Sequence, residues 1–196
     1  DNREAILNRL HIPQNHAIII TIGRLVPEKR IDRFMNILAH YAEKVNKNVT
    51  GLVIGDGLMK RSLLEMADRL KDRVKIHFIG YQKNIFPYLA MSDIYLSTSQ
   101  YELLPMSLIE ATASGVPLVC SDIPGNRDVV QKGYNGYLVD DSEEHYLYYI
   151  KKILNNPSLA KEMSDNGKIL SKNRYDRKTI IDTLITQYTQ WIKGAN

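Results

Sequence analysis

Six short apolar runs constrain what this 196-residue chain can fold into more than any other feature. They are rich in isoleucine and valine, and they occupy residues 17–22, 49–54, 74–79, 93–97, 117–121 and 136–140. Short, nearly continuous apolar runs are typical of strands that are buried on both faces of a parallel sheet. We therefore interpret these runs as the strands of such a sheet.

Helical patterns lie between most of these runs. Residues 31–46 carry apolar side chains at helical spacing, and residues 57–70 carry a less regular apolar face that includes Leu58 and Leu64. Strands that alternate with helices indicate βαβ units. The sequence thus predicts an α/β fold, a Rossmann-like doubly wound parallel sheet that extends over residues 1–175.

The two ends of the chain are predicted to be helical. A short helix is expected in residues 1–10, and the C-terminal helices are expected at 142–154, 157–171 and 177–193. Pro157 suits the first turn of its helix, where its missing N–H has no cost. We expect the aromatic side chains of these helices to pack against the sheet: Tyr146, Tyr148, Tyr149, Tyr188 and Trp191.

Composition narrows the location and the kinds of partner. No apolar run approaches the roughly 20 residues of a membrane span, and the charged N-terminus is unlike a secretory signal. Cys120 is the only cysteine in the sequence, so neither an intrachain disulfide nor a cysteine-based metal cluster can form. A reducing, cytoplasmic location fits best. The net charge of +4 favours anionic partners, but solvated surface charge explains this excess better.

Three loops follow predicted strands at the edge where open parallel sheets bind their ligands. In the first loop, residues 21–32, Gly23 permits a tight turn, and Arg24 and Lys29 precede a helix. Two cations beside a helix N-terminus can bind a phosphate. For this loop taken alone, surface charge is the better explanation.

The second loop, residues 53–60, places Gly55 and Gly57 between a strand and a helix. Glycines in that position bring backbone N–H groups close to a ligand. Lys60 stands where the full dinucleotide-binding motif has glycine, and the sequence contains no Walker A motif. The signal is weak when it is taken alone.

The third loop leads into a predicted helix at 105–114. Pro105 suits the first helical position. The N–H groups of Met106, Ser107 and Leu108 are then expected to be open to an anion.

Two glutamates surround the start of this helix. Glu102 precedes it, and Glu110 lies between its first and second turns, too deep to add much to the helix dipole. A carboxylate can accept hydrogen bonds from two hydroxyls. A hydroxyl-binding pair and two solvated glutamates explain this spacing about equally well.

In their order and spacing these loops resemble a known family. The string "GRLVPEK…IGDG…FIGY…YLAMSDIYLSTSQYE-x7-EATASGVPLVCSD" is similar to the C-terminal domain of retaining GT-B glycosyltransferases of the family 4 group, over about residues 1–193. Glu102 and Glu110 match the E-x7-E motif of that group. The resemblance implies two Rossmann-like domains facing a cleft, of which this chain is the half that binds a sugar nucleotide. It also implies that residues 176–196 form a helix crossing toward an N-terminal acceptor domain.

The resemblance implies a role for each matching residue. Arg24 and Lys29 correspond to cations on the donor diphosphate, and Glu102 lies near the hydroxyls of the transferred sugar; these three form the implied catalytic set. The remaining donor-binding positions are Gly23 beside the cations, Gly55 and Gly57 near the donor, Tyr81 at the nucleobase, Leu104, Pro105, Met106 and Ser107 around sugar and phosphate, and Glu110 at the ribose. Many relatives have glycine where this chain has Leu103, so the resemblance does not imply which sugar is transferred.

The implied reaction moves a sugar, with retention, from a nucleoside diphosphate sugar to a glycan or lipid-linked acceptor, in the synthesis of cell-surface polysaccharide. UDP is expected in preference to GDP. No cofactor and no metal are implied, and the sequence has no Asp-x-Asp motif; His77 lies within a predicted strand and is expected to be structural. The implied location is cytoplasmic, which allows peripheral association with the inner face of the membrane. The isolated chain is expected not to transfer sugar.

Other functions remain open at this point. One is a non-catalytic module that binds a sugar nucleotide. Another is a different GT-B enzyme, such as a sugar-nucleotide epimerase or a phosphorylase, although no motif for a pyridoxal lysine is found. Nucleic acid is not expected as a partner, because the sequence has no recognisable binding motif for it.

Overall fold

The six apolar runs become six parallel strands. A computed structural model describes residues 3–176 together with residues 181, 185 and 186. The strands are β1 (Ala17–Ile22), β2 (Val49–Ile54), β3 (Lys75–Gly80), β4 (Ile94–Ser97), β5 (Leu118–Ser121) and β6 (Gly136–Val139). They form one sheet in the order β3-β2-β1-β4-β5-β6. The predicted Rossmann-like α/β fold is confirmed.

Eight described helices connect or follow the strands. They are α1 (Arg3–Arg9), α2 (Ile31–Lys44), α3 (Lys60–Leu70), α4 (Phe86–Ala90), α5 (Met106–Ala113), α6 (Pro124–Arg127), α7 (Glu143–Leu154) and α8 (Pro157–Arg174). A 3-10 turn, Pro27–Lys29, precedes α2. The predicted helix 177–193, with Tyr188 and Trp191, lies outside the described residues apart from positions 181, 185 and 186.

Helices cover both faces of the sheet, which is why the strands are apolar without alternation. Ile19 packs in one core cluster with Phe34 of α2 and Tyr146 of α7. Its neighbour Ile18 packs in the other cluster, with Leu108 of α5. Successive strand residues point to opposite faces, so each strand contributes to both clusters.

Two details of the predicted packing are wrong. The apolar face of helix α3 is smaller than predicted: the helix begins at Lys60, so Leu58 lies in the preceding loop and is 94% exposed, and Leu64 is exposed too, whereas Leu63 is buried. Tyr148 is exposed rather than packed against the sheet. It makes an edge contact with Tyr149, whose ring stacks on Tyr137 of β6 at 4.1 Å.

The strand order places a topological switch point between β1 and β4. The chain moves from β1 outward to β2 and β3, and then returns to pair β4 with the other side of β1. Open α/β sheets bind ligands in the crevice that forms beyond the carboxyl ends of strands at such a point. The loops that follow β1 and β4 meet there.

Candidate functional site

The loops after β1 and β4 are joined by hydrogen bonds. The side-chain hydroxyl of Thr98 donates to the carbonyl of Arg30 at 2.8 Å, and the amide of Gln100 donates to the carbonyl of Glu28 at 2.8 Å. Arg30 adopts a left-handed conformation with φ of 48° where the 3-10 turn passes into α2. These contacts hold the first predicted loop against the third.

The same junction brings Lys29 and Glu102 together. The Nζ atom of Lys29 donates to Oε1 of Glu102, and the two side chains are only 19% and 12% exposed. The hydroxyl of Ser99 donates to the same oxygen at 2.9 Å. Two of the three residues in the implied catalytic set are therefore an ion pair in this structure.

Arg24 is placed differently from Lys29. Its side chain is exposed, and within the described part of the chain its guanidinium has no hydrogen-bond or ion-pair partner. The predicted pair of cations thus lies on one loop, with the charge of Lys29 compensated by Glu102 and the charge of Arg24 uncompensated. An anion that approaches this edge meets Arg24 without having to displace a carboxylate.

The glycines of the first two loops pack against one another. A Cβ atom on Gly55, whose φ is +141°, would overlap the carbonyl oxygen of Gly23, and one on Gly57 would lie 2.5 Å from the carbonyl oxygen of Leu25. The amide of Gly55 donates to Gly80 at 2.9 Å. The close approach that the sequence indicated at Gly55 and Gly57 is therefore an approach between two loops of the chain.

Gly23 lies at a bend directly after β1. Its φ is not among the positive values found for glycines in the described residues. A Cβ atom there would lie 3.4 Å from the side chain of Lys29. That separation is an ordinary van der Waals contact, so the packing of Lys29 does not by itself require glycine at this position.

The start of helix α5 is open to solvent, with two corrections to the prediction. Pro105 is the N-cap residue rather than the first helical residue. The amide of Leu108 donates to the carbonyl of Pro105 at 2.9 Å, so it is not open to an anion. Within the described residues, the amides of Met106 and Ser107 have no partner. They are the groups that an anion could bind.

The N-terminus of α5 is anchored to the end of β1. The hydroxyl of Ser107 donates to the carbonyl of Ile22 at 3.0 Å and lies 2.8 Å from the hydroxyl of Tyr95 in β4. Tyr95 also donates to Ile22 at 3.1 Å, and its burial raises the pKa of its phenol. Because Ser107 and the buried Tyr95 both bond the end of β1, the open amides of α5 are held in a fixed place beside that strand.

Glu110 is partly buried on α5, and its burial raises the pKa of its carboxyl above the usual value. Its carboxylate makes no hydrogen bond or ion pair with the described residues. An unpaired carboxylate that is partly removed from water is costly for the fold. A bound molecule with hydroxyl donors would satisfy it.

The other predicted positions lie at the same edge of the sheet. Leu104 and Met106 are exposed on either side of the buried Pro105. Tyr81 directly follows β3, two strands away from β1, and is 77% exposed. The structure therefore brings Lys29, Glu102 and the start of α5 together, with Tyr81 farther along the edge.

Sequence reasoning missed the contribution of the loop after β5. Ser121 ends that strand, and its hydroxyl donates to the carbonyl of Ser99 at 2.6 Å. A Cβ atom on Gly125 would overlap the carbonyl oxygen of Glu102. The only signal in the sequence is the turn string "IPGN" after an apolar strand, which predicts a bend and does not identify what it contacts.

Two further titratable residues, His77 and Cys120, lie within strands of the sheet. Burial lowers the pKa of His77 in β3 and raises the pKa of the Cys120 thiol in β5.

Within residues 3–176 and the three later positions, no three His, Cys, Asp or Glu side chains group closely enough to hold a metal ion. None of the described helices combines the length and the apolar character that a bilayer crossing requires.

Comparison with known proteins gives a family and related folds. The family model of glycosyl transferases group 1 matches residues 2–170. An uncharacterized glycosyltransferase of Haemophilus influenzae is 30% identical over 180 residues, and a lipopolysaccharide core biosynthesis glycosyltransferase of Rhizobium meliloti is 25% identical over 178 residues. These alignments cover 89% and 90% of this chain but only 49% and 51% of the two relatives. The chain thus spans about half of their length.

A solved structure shares the arrangement of elements. A crystal structure of an S. aureus TarM variant in complex with fondaparinux, α-GlcNAc-glycerol and UDP superimposes with a TM-score of 0.78 at 28% identity. The match covers 89% of this chain and 36% of that one.

Proposed function

The chain belongs to the glycosyl transferases group 1 family, and on that basis we propose that it is the domain that binds the sugar donor of a glycosyltransferase. The donor is a nucleoside diphosphate sugar, with UDP in preference to GDP. One observation carries this proposal: at the switch point, the uncompensated Arg24 and the open amides of Met106 and Ser107 lie at one edge with two carboxylates. That edge offers cationic and amide donors for a diphosphate and acceptors for hydroxyls.

The diphosphate binds to Arg24 and to the N-terminus of α5. A helix N-terminus contributes about 0.3–1 kcal/mol to the binding of an anion, whereas a hydrogen bond to a charged group contributes roughly 1.5–3 kcal/mol. The arginine is therefore the larger contributor. Lys29 exchanges its contact with Glu102 for a contact with phosphate. This exchange brings a second cation to the leaving group.

The reaction breaks the bond between the anomeric carbon and the diphosphate, with retention of configuration. Negative charge grows on the leaving phosphate while positive charge grows on the sugar ring. Arg24 and the open amides of α5 are already in place for the phosphate and stabilise this change without rearranging, and Lys29 joins them once it has left Glu102. No metal ion is required in this scheme, because the charge on the phosphate is met by Arg24, Lys29 and the helix terminus.

The two carboxylates bind hydroxyls at different ends of the donor. Glu110 accepts hydrogen bonds from the ribose, and its unpaired, partly buried carboxylate supports this assignment. Glu102 lies on the other side of Pro105 and accepts from the transferred sugar. Tyr81 contacts the nucleobase.

The acceptor is a glycan or a lipid-linked molecule, and it is bound by a second domain. The chain's length relative to its relatives supports a second domain. The name of the Rhizobium meliloti relative supports a role in cell-surface polysaccharide synthesis, and UDP in the TarM complex supports uridine as the base. The enzyme acts in the cytoplasm, peripheral to the membrane.

Calorimetric titration of the chain tests donor binding. UDP and UDP-sugars are expected to bind in the presence of a chelator, and more tightly than GDP, ADP or NAD. Failure of every nucleotide to bind, or binding only with divalent ions, would contradict the proposal. Robust sugar transfer by this chain alone would contradict its assignment as the donor-binding half.

A further inference from the structure

Both protein donors to Glu102 converge on one oxygen of its carboxylate. Lys29 and Ser99 each donate to Oε1, the serine at 2.9 Å. Within the described residues, Oε2 has no hydrogen-bond partner. The carboxylate is thus held at one oxygen and left open at the other.

The two donors differ in what a diphosphate does to them. Lys29 is a cation on a flexible stem, and phosphate competes with Glu102 for it. Ser99 carries no charge and is only 4% exposed, so its hydroxyl is not accessible to the diphosphate. Once Lys29 has turned to the diphosphate, Ser99 is the remaining described group that holds the carboxylate.

Ser99 is itself fixed by buried hydroxyl and amide groups. The hydroxyl of Ser97 donates to that of Ser99 at 3.4 Å, and Ser121 donates to the carbonyl of Ser99 at 2.6 Å. The side-chain amide nitrogen (Nδ2) of Asn126, which is fully buried, donates to the carbonyl of Ser121 at 2.9 Å. The backbone contacts hold Ser99 in place, and its hydroxyl accepts from Ser97 while donating its single proton to Glu102.

The backbone of Glu102 is supported from the same loop. A Cβ atom on Gly125 would overlap the carbonyl oxygen of Glu102 and would lie 2.9 Å from that of Leu103. The turn after β5 therefore packs directly on the peptide groups that carry the glutamate. Residues 121–126 therefore contact the backbone of Glu102 directly and support its side chain only through Ser99.

We propose that Ser99 is a positioning residue for Glu102. It keeps Oε1 of the carboxylate in place after Lys29 has moved to the diphosphate, so that Oε2 can accept a hydrogen bond from a hydroxyl of the donor sugar. The inference rests on the proposed function, since it concerns the sugar end of the same donor. Ser99 does not itself contact the nucleotide.

The test is a set of titrations with UDP and with UDP-GlcNAc and UDP-glucose as probes. Ser99→Ala is expected to leave the affinity for UDP unchanged. It is expected to weaken binding by about threefold to tenfold for whichever of the two UDP-sugars the wild type binds more tightly. In the Glu102→Ala background, Ser99→Ala is expected to have no further effect, because the group that it positions is gone. Ser121→Ala is expected to give the same pattern with a smaller loss, and it carries the test if Ser99→Ala does not fold.

Ser92→Ala is the matched control. It removes a partly buried hydroxyl that donates to Tyr88 at 2.7 Å just before β4, at the opposite edge of the sheet. Both affinities are expected to be unchanged. Equal weakening of UDP and UDP-sugar by Ser99→Ala, or a further loss in the Glu102→Ala background, would overturn the positioning role. If the wild-type chain binds neither UDP nor a UDP-sugar, the proposed function fails first.

Discussion

The Nζ atom of Lys29 donates a hydrogen bond to Oε1 of Glu102, although 73 residues separate the two along the chain. Both side chains are mostly buried, so each relies on the other for charge compensation. A diphosphate that binds Lys29 must therefore compete with a carboxylate. Removal of Lys29 should therefore lower the affinity for UDP, whereas removal of Glu102 should not.

Removing the carboxylate of Glu102 is expected to change the affinities for UDP and for a UDP-sugar in different ways. In Glu102→Ala, Lys29 is no longer held, so UDP should bind as tightly as to the wild type or more tightly. A UDP-sugar should bind more weakly, because a hydroxyl acceptor is lost. Calorimetry with UDP and UDP-GlcNAc measures both effects.

Glu110→Ala is the comparison variant for this experiment. Its carboxylate is assigned to the ribose, which both ligands contain, so both affinities should fall. Glutamine at either position keeps one acceptor, and its effect should be smaller. If Glu102→Ala weakened UDP as much as Glu110→Ala does, the assignment of one carboxylate to sugar and one to ribose would be wrong.

Arg24 provides a second prediction. Arg24→Ala is expected to weaken UDP binding by roughly tenfold to a hundredfold, the range for a lost hydrogen bond to a charged group. Folding stability should change little, since the guanidinium has no partner among the described residues. Arg69→Ala, an exposed position in the last turn of α3, is the control and should leave UDP affinity unchanged. Equal loss in both variants would indicate a general effect of charge.

The strands were predictable because their signal is local. Residues 17–22 and 49–54 match β1 and β2 to the residue, since each mostly apolar run lies between a polar residue and a glycine, which leaves little freedom in its ends. Helices α4 and α6 were missed because they have five and four residues. That length is too short for a 3.6-residue repeat to show.

The site was predictable in its membership but not in its contacts. The loops after β1 and β4 could be located from strand order alone, and the residues on them are those that the resemblance singled out. The pairing of Lys29 with Glu102 and the support from Ser99 depend on how distant loops pack. No spacing along the chain encodes such contacts, so they required the structure.

The glycine pair in the second loop leads to a prediction about stability. Gly55→Ala should lower the free energy of unfolding by roughly 4 kcal/mol or more, because the new Cβ atom would overlap the carbonyl oxygen of Gly23 at a φ of +141°. Gly133→Ala is the matched control, since Gly133 also has a positive φ, +79°, but no atom within 4 Å of the added Cβ. It should cost only about 1–2 kcal/mol. Urea denaturation distinguishes the two, and equal costs would show that loop packing does not require Gly55.

The last prediction concerns the cost of keeping Glu110 unpaired. Burial raises the pKa of its carboxyl in the folded state, so folding favours the protonated form. The resulting contribution to stability is present below the unfolded pKa of about 4.3 and is lost as the pH rises through the folded value. Glutamine mimics the protonated form at every pH. Glu110→Gln should therefore melt at a higher temperature than the wild type at neutral pH, and the difference should vanish in acid.

Circular dichroism melting curves across that pH range measure the difference, with Glu162→Gln, an exposed position on α8, as the control that should show no such trend. Saturating UDP should reverse the order at neutral pH, because a ligand that binds the wild type more tightly stabilises it more. If Glu110 is retained for function at a cost in stability, both the higher melting temperature without UDP and the reversed order with UDP are expected. Two outcomes would contradict the assignment of Glu110 to the ribose. One is that Glu110→Gln is no more stable than the wild type without UDP, and the other is that UDP stabilises Glu110→Gln as much as it stabilises the wild type.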